Sequence, residues 1–433
     1  MKYFGTDGIR GVPNKTLTNE LVYNIGRAII TLNCNDVYIA TDTRISKDML
    51  VCSLASGCMS MGINVHFLGV LPTPALMYYS MIKKGIGVMI TASHNPYFDN
   101  GIKIVKEGKK LNEKEELEIE KVLENHIENK NYVGMMFFEK NAQNEYINFI
   151  LSKSFKTKYK ICIDCANGAT IDVAQKIFSY INSNTKFYAV VPDGANINDG
   201  VGSTNIDYIR NKVLENNYDI GFAFDGDGDR VICVDSKGNV IDGDKLIYLI
   251  AMYLKRNNKL KNNIVALSIM SDLGLINSLK KHGIDVIECP VGDKYIYQAI
   301  VDNDLSLGGE NSGHIIAYND FHSGDGILIA VLVLKILESM NIDIDEFFND
   351  VDTYEKTLIN LKVINKQKII KSNKLKNKIE AFKNKLNNDC KIILRASGTE
   401  NLLRLLVMAK DIKDVNLISK DLVTTIEEID CNE

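Results

Sequence analysis

Residues 85–103 read GIGVMITASHNPYFDNGIK. The run Gly85–Ile90 is apolar throughout, as expected of a strand covered on both faces. It runs into Ser93 and His94, and Asn95-Pro96 then halts any ladder. A strand that stops on a hydroxyl sets that hydroxyl at the rim of a sheet, a place that suits a nucleophile. Ordinary turns use the same residues, because Ser and Asn bond to nearby backbone. Taken alone, the stretch leaves both readings open.

Upstream, DVYIATD (36–42) and INVHFLG (63–69) also read as strands, and KDMLVCSLASGCMSMG (47–62) between them has helical period. Strand, helix, strand in succession predicts parallel pairing through crossovers. The Glu- and Lys-rich stretch 107–131 reads as a solvated helix. A second unit opens at KYKICIDCANG (158–168), with a helix over 170–181, a strand over 186–191, a helix over 206–216 and the strand DIGFAF (219–224). A third starts at Gly243 and alternates helix and strand as far as the apolar helix GILIAVLVLKILESM (326–340). The three units repeat one plan at roughly a hundred residues apiece. The last part differs: NKQKIIKSNKLKNKIEAFKNKL (365–386) is helical and lysine-studded, whereas CKIILR (390–395) and LLRLLVMAK (402–410) read as strands. The expected architecture is three similar mixed-sheet α/β domains, at 1–153, 154–242 and 243–357, plus a smaller α+β C-terminal domain at 358–433.

Bulk properties narrow the function classes. The 433 residues are 45% hydrophobic and carry a net charge of −4, which gives no overall pull toward nucleic acid or anionic membrane. The lysines of 365–386 lack interleaved aromatics and read as a solvated face rather than a strand-binding groove. The opening MKYFGTDGIRG has no signal-peptide h-region, and the uninterrupted apolar part of 326–340 ends at Lys335, short of the ~20 residues that span a bilayer. Nine scattered cysteines show no disulfide rhythm. Cys162 and Cys165 form a lone CxxC on a strand, which points the thiols to opposite faces and argues against zinc. A cytoplasmic, reduced protein is expected.

Several loops carry candidate chemistry. Asp225, Asp227 and Asp229 alternate with glycine in AFDGDGDRV (223–231). Three carboxylates this close repel one another, and a divalent cation relieves that; hard oxygen donors suit Mg2+, and a flexible acidic hairpin with no ion is the alternative. Counted from Asp225, a calcium loop needs Gly at its sixth and Glu at its twelfth position, where Arg230 and Ser236 stand. LRASGTENLLR (394–404) sets Ser397, Gly398 and Thr399 between Arg395 and Arg404, a donor set for phosphate oxygens and equally a surface turn with two salt-bridging arginines. GGENSGH (308–314) offers Glu310 and Ser312 for sugar hydroxyls and His314 for proton transfer or phosphate binding, and reads equally as a loop with a hydrogen-bonded histidine. Arg10 in FGTDGIRG (4–11) and Arg44 in DTR (42–44) are phosphate candidates by type and equally ordinary loop cations. Lys103, ten residues after Ser93, can return to the same site.

Together, GTDGIRG (5–11), TASHNP (91–96), DGDGDR (225–230), GENSGH (309–314) and RASGTE (395–400) resemble the alpha-D-phosphohexomutase family in order and spacing, over nearly the whole chain. KYFGTDGIRG (2–11), DCANGAT (164–170) and ENSGH (310–314) look most like its phosphoglucosamine members. Ala396 and Asn401 stand where those members usually have Lys and Pro, and Ala396 is closer to the phosphomannomutase group.

The resemblance implies four domains around a central cleft, with the small C-terminal domain as a lid. It makes Ser93 the residue phosphorylated in the active enzyme and puts Mg2+ on that phosphate with Asp225, Asp227 and Asp229, with Arg230 beside the ion. Glu310 and Ser312 would select the sugar; Arg395, Ser397, Gly398, Thr399 and Arg404 would hold the non-reacting phosphate. Arg10, Lys103 and His314 fall on positions that assist proton and phosphoryl transfer, and His94 joins them as a catalytic candidate beside Ser93. The implied substrate is a hexosamine phosphate handled through its 1,6-bisphosphate, on the route to UDP-N-acetylglucosamine. A kinase or a bisphosphate would first load Ser93; neither nucleic acid nor membrane is an expected partner. A neutral-hexose mutase, a non-catalytic sugar-phosphate binder and a Mg2+-dependent phosphatase are the competing readings.

Overall fold

The strand Ile86–Ile90 is buried along its whole length and lies inside the first sheet. It pairs in parallel with Asp36–Thr41, which pairs in parallel with Asn64–Val70, as the strand–helix–strand order predicts. On its other side it runs antiparallel to Asn100–Lys106, the strand that returns Lys103 toward Ser93. Ile9–Gly11 extends that edge and carries Arg10. The computed structural model describes every residue except 1, 6, 126, 127, 129, 397–401, 432 and 433. The strand gives out at Ile90, before the hydroxyl: Ser93 adopts the left-handed conformation (φ 53°), which a pleated strand cannot hold. Helices Asn19–Ala28 and Lys47–Ser60 pack together and bury Ile25, Leu50 and Leu54 against this sheet's core. Among the described residues, the acidic stretch after Lys106 holds a helix over Glu113–Glu124, started by a capping box between Asn112 and Glu115. The residues before it form a hairpin with the sheet instead.

The second sheet has Ile161–Asp164 in parallel with Ile220–Phe224 on one side and Lys186–Tyr188 on the other. The latter strand stops short of residue 191, and Ala189 turns left-handed (φ 50°). Ile220–Phe224 and Val231–Asp235 form an antiparallel hairpin whose loop is Asp225–Arg230. In the third sheet Ile264–Ser268 runs parallel to Leu307–Gly309, which turns back into Ile315–Ala317. The loop of this second hairpin carries Glu310, Ser312 and His314. The helix Gly326–Met340 is buried over most of its length and capped by Asp325, which accepts from the Leu328 N–H. No helix among the described residues is long and apolar enough to cross a membrane.

The chain falls into two compact units. Met1–Ser268 with Ile287–Phe348 form one, Ile269–Val286 with Asn349–Glu433 the other. The second unit holds an antiparallel sheet with Leu402–Ala409 between Glu355–Lys362 and Cys390–Ala396, and a long helix Ile412–Cys431. The lysine-rich segment is helical as expected and consists of two helices, Lys366–Lys371 and Asn373–Lys385. Ser372 breaks it, its hydroxyl accepting from the Leu375 N–H as an N-cap. Ile369 and Leu375 face the core while the lysines remain at the surface.

Candidate active site

Ser93, fully buried, points its hydroxyl at the acidic loop: Oγ donates to Asp225 Oδ2 at 2.6 Å. The two residues are 132 positions apart and follow strands of different sheets, so this contact joins the loop after one strand to the hairpin loop of another. The approach is close on the backbone too. A Cβ on Gly226 would lie 2.6 Å from the Ser93 carbonyl oxygen, so that position accepts only glycine.

Asp225, Asp227 and Asp229 are all buried, with one oxygen of each lying within 4.8 Å of the others. Asp227 Oδ2 accepts from Thr73 Oγ1 at 2.6 Å and from Lys103 Nζ at 2.8 Å. Its Oδ1, like Asp229 Oδ1, is buried with no hydrogen-bond partner among the described residues. Burial, then repulsion from Asp229 and Asp227, pushes the Asp225 carboxyl well above its ordinary range. Orphaned carboxylate oxygens converging in a buried loop are what a hard divalent cation satisfies, so the residues present fit such an ion. Arg230 closes the loop, its Nε 4.0 Å from Asp225 Oδ2 and 3.9 Å from Asp229 Oδ1.

Lys103 lies among carboxylates, 2.8 Å from Asp227, 2.9 Å from Asp7 and 3.3 Å from Asp229. Burial alone would lower its pKa, but these three carboxylates raise it well above the ordinary value. Arg10 donates to Asp7 at 2.6 Å and reaches Asn95 Oδ1 at 3.5 Å. His94 places Nδ1 3.3 Å from Ser93 Oγ; burial, with Arg230 and Arg10 nearby, lowers its pKa to about 4, so the ring is neutral near neutral pH.

His314 reaches the same neighbourhood from the third sheet, where it forms an isolated antiparallel bridge with Arg230. Its Nε2 is 3.5 Å from Asp293, and its Nδ1 has no hydrogen-bond partner among the described residues. Asp293 also pairs with Lys110, which lies 2.7 Å from Asp7. Glu310 is held by the Gly292 N–H at 3.0 Å, and Ser312 Oγ is buried without a partner among the described residues.

Thus Ser93, His94, Arg10, Lys103, the three aspartates, Arg230 and His314 gather around one buried charge cluster. Arg395 and Arg404 belong to the second compact unit, where they are cross-strand partners. Ser397, Gly398 and Thr399 lie outside the described residues. Arg44 is not a phosphate ligand: it is fully buried, and its guanidinium is spent on Asp42 and on backbone carbonyls. Sequence reasoning missed Asp7, Thr73, Lys110, Asn198 and Asp293. Asp7 stands inside GTDGIRG and Asp293 opens a helix after a glycine, but nothing local marks either as a partner of a distant lysine.

Residues 1–130, 137–238 and 242–354 match the alpha/beta/alpha domains I, II and III of phosphoglucomutase/phosphomannomutase, and residues 358–424 match its C-terminal domain. The chain is 40% identical over 442 residues to a phosphoglucosamine mutase of Finegoldia magna, covering 99% of this chain and 98% of that protein. It is 38% identical over 425 residues to the phosphoglucosamine mutase of Bacillus subtilis, covering 94% of each. Its fold matches a phosphoglucomutase/phosphomannomutase family protein of Burkholderia thailandensis with a TM-score of 0.82 at 23% identity, over 99% of this chain and 98% of that one. An N-acetylphosphoglucosamine mutase of Aspergillus fumigatus, solved with GlcNAc-6P and magnesium, superposes with a TM-score of 0.71 at 17% identity, over 99% and 96% of the two chains. A buried serine facing three aspartates, carried on a full-length set of matching domains, leaves one assignment: the chain belongs to the alpha-D-phosphohexomutase family, the phosphoglucomutase/phosphomannomutase proteins.

Proposed function

We propose that this mutase interconverts glucosamine 6-phosphate and glucosamine 1-phosphate through a phosphorylated Ser93, and that its cation is Mg2+. The observation that carries the reading is the 2.6 Å contact between Ser93 Oγ and Asp225 inside the buried aspartate cluster. Full-length similarity to proteins named phosphoglucosamine mutase supports the amino sugar as substrate.

In the first half-reaction the sugar 1-hydroxyl oxygen attacks the phosphorus of phospho-Ser93. A new P–O bond forms to the sugar, the P–Oγ bond breaks, and the 1,6-bisphosphate results. The bisphosphate turns end for end, Ser93 Oγ attacks the 6-phosphoryl group, and glucosamine 1-phosphate leaves. Asp225, Asp227 and Asp229, with Ser93, would hold Mg2+, which when bound supplies positive charge to the transferring group. Lys103, kept protonated by its three carboxylate neighbours, serves as a fixed positive charge and not as a base. Neutral His94 can accept a hydrogen bond at Nδ1 beside Ser93 Oγ. His314, with Nδ1 unpartnered among the described residues, is the ring placed to exchange a proton with the sugar hydroxyl. Glu310 and Ser312 contact the sugar, and Arg395 and Arg404, with Ser397, Gly398 and Thr399, hold the phosphate that is not reacting. A hexose 1,6-bisphosphate or a kinase first loads Ser93, and the product feeds UDP-N-acetylglucosamine synthesis.

The deciding experiment is turnover of the purified chain with Mg2+ and a trace of hexose 1,6-bisphosphate on glucosamine 6-phosphate, glucose 6-phosphate and mannose 6-phosphate. Preference for the amino sugar is expected. Preference for a neutral hexose would make Ala396 the better guide to substrate. Ser93→Ala is expected to abolish turnover, and full activity in that variant would sink the phosphoserine mechanism.

A further inference from the structure

The loop that carries Ser93 has little regular pairing of its own, yet Ser93 is held in a left-handed conformation that costs a non-glycine residue on the order of 1 kcal/mol or more. Its backbone groups have to be satisfied by something. One arginine does most of this. Arg44 donates through Nη2 to the carbonyls of Ser93 at 2.9 Å and Asn95 at 2.8 Å. Its Nη1 donates to the carbonyl of Asp99 at 3.0 Å and to that of Pro96. Its Nε donates to Asp42 Oδ2 at 2.9 Å. A guanidinium has five N–H donors in a fixed plane, and these bonds use all five.

The circuit closes on the other side of Ser93. Asp42 Oδ2 also accepts from Thr91 Oγ1 at 2.7 Å, and Thr91 Oγ1 accepts from the Ser93 N–H at 2.9 Å. Residue 93 is therefore fixed at both its N–H and its carbonyl through one connected set of fully buried side chains. A second hand reaches in from the neighbouring sheet's loops. Asn198 Nδ2 donates to the same two carbonyls, at 2.9 Å to Ser93 and 3.2 Å to Asn95. Asn198 is itself tied to the loop after the strand Ile161–Asp164, its N–H donating to the Ala166 carbonyl at 3.0 Å.

We propose that Arg44 and Asn198 are positioning residues for phosphoryl transfer at Ser93: gripping the Ser93 and Asn95 carbonyls from two sides, they fix the direction in which Oγ leaves the backbone. This rests on Ser93 as the phosphoryl carrier. The carrier must present the same oxygen along the same line twice per cycle, once as leaving group and once as nucleophile. A misplacement of about 1 Å is enough to cost a factor of about 100 in rate. Arg44 is an arginine because no other side chain supplies four donors to carbonyls together with one to a carboxylate. Asn198 refers the aim of Ser93 to the second sheet, since the loop it is tied to follows Ile161–Asp164, the parallel neighbour of the strand Ile220–Phe224 that leads into the aspartate loop.

The test uses the full chain with Asn198→Ala and Arg44→Lys, beside Ser93→Ala. Four quantities are read: kcat, KM for glucosamine 6-phosphate, the thermal midpoint, and the loss of phosphate from phospho-Ser93 to water. In that last reaction a water oxygen attacks phosphorus, the P–Oγ bond breaks, and Ser93 and inorganic phosphate result. Positioning predicts that Asn198→Ala lowers kcat on the order of 10- to 100-fold with KM within about twofold, and raises hydrolysis relative to transfer. Arg44→Lys is expected to do the same more severely. Activity that falls only in proportion to the unfolded fraction, with kcat per folded molecule and the hydrolysis ratio unchanged, would overturn the proposal and leave a merely structural clasp. Should Arg44→Lys fail to fold, Asn198→Ala decides. Full activity in Ser93→Ala would overturn the phosphoserine reading instead, a result recognisable whatever the other variants do.

Discussion

Arg395 and Arg404 are direct cross-strand partners, paired in register where Cys390–Ala396 runs antiparallel to Leu402–Ala409. Partnered positions send their side chains to the same face, so two cationic stems leave the sheet side by side. Two guanidinium groups on one face offer paired donors to phosphate oxygens, the role proposed for them above. On this reading Arg404→Ala raises KM for glucosamine 6-phosphate about 10- to 100-fold, the worth of a charge-assisted hydrogen bond. Steady-state kinetics check it, and an unchanged KM would show that the pair has no part in phosphate binding.

The aspartate loop predicts a metal requirement with a specific address. Chelation by EDTA should abolish turnover, and Mg2+ should restore it. Asp227→Asn should need at least about tenfold more Mg2+ for half-maximal rate, because one of three charged oxygen ligands is lost. An identical Mg2+ titration in the variant would place the ion elsewhere.

Lys103 holds three carboxylates at once, those of Asp7, Asp227 and Asp229. Its replacement by methionine leaves buried negative charge uncompensated, a loss of about 3–5 kcal/mol for a buried pair broken on one side. Lys103→Met should therefore melt markedly lower than the parent and recover part of the difference in excess Mg2+. A melting curve that does not respond to Mg2+ would argue against one shared site for the lysine and the ion.

Asp325 caps the helix Gly326–Met340 and accepts from the Tyr146 hydroxyl at 2.8 Å through both carboxylate oxygens. Burial raises its pKa from 3.8 to about 7. Between those values the folded chain binds more protons at this site than the unfolded chain, so the contribution to stability is fully present below the lower value and is lost as pH rises through the upper one. An asparagine at this position would cap the helix without titrating. The thermal midpoint of Asp325→Asn relative to the parent should therefore rise between about pH 5 and about pH 8. A difference that stays flat or falls would mean that Asp325 is charged in the folded state throughout.

Much of this protein is legible without its structure. The parallel order of the first three strands follows from apolar runs separated by a helical period, and the aspartate loop stands out as a candidate cation site from three carboxylates alternating with glycine. The apolar helix at 326–340 stands where it is expected because nothing else accommodates fifteen residues of that composition. The misses have local causes. The break at Ser372, an N-cap that divides the lysine-studded helical stretch in two, is not announced by the helical period around it. The strand Glu355–Lys362 alternates charged and apolar residues too irregularly to be recognised, and it is held by its ladder to Leu402–Ala409. Arg44 escapes a sequence reading because an arginine beside an aspartate looks the same whether its remaining donors meet phosphate or backbone.

The sequence by itself determined the kinds of element, their order, and the chemistry each loop could offer, since periodicity, turn residues and side-chain type are local properties. The tertiary structure alone decided who meets whom: Ser93 with Asp225 across 132 positions, Lys103 with Asp227 across 124, Asn198 with the Ser93 carbonyl across 105. Each of those contacts depends on strand register and on how two sheets bring their loops together, and burial then gives them their strength. A carboxylate or a guanidinium in a sequence is only a capacity; desolvation and a partner at hydrogen-bond distance turn it into a site.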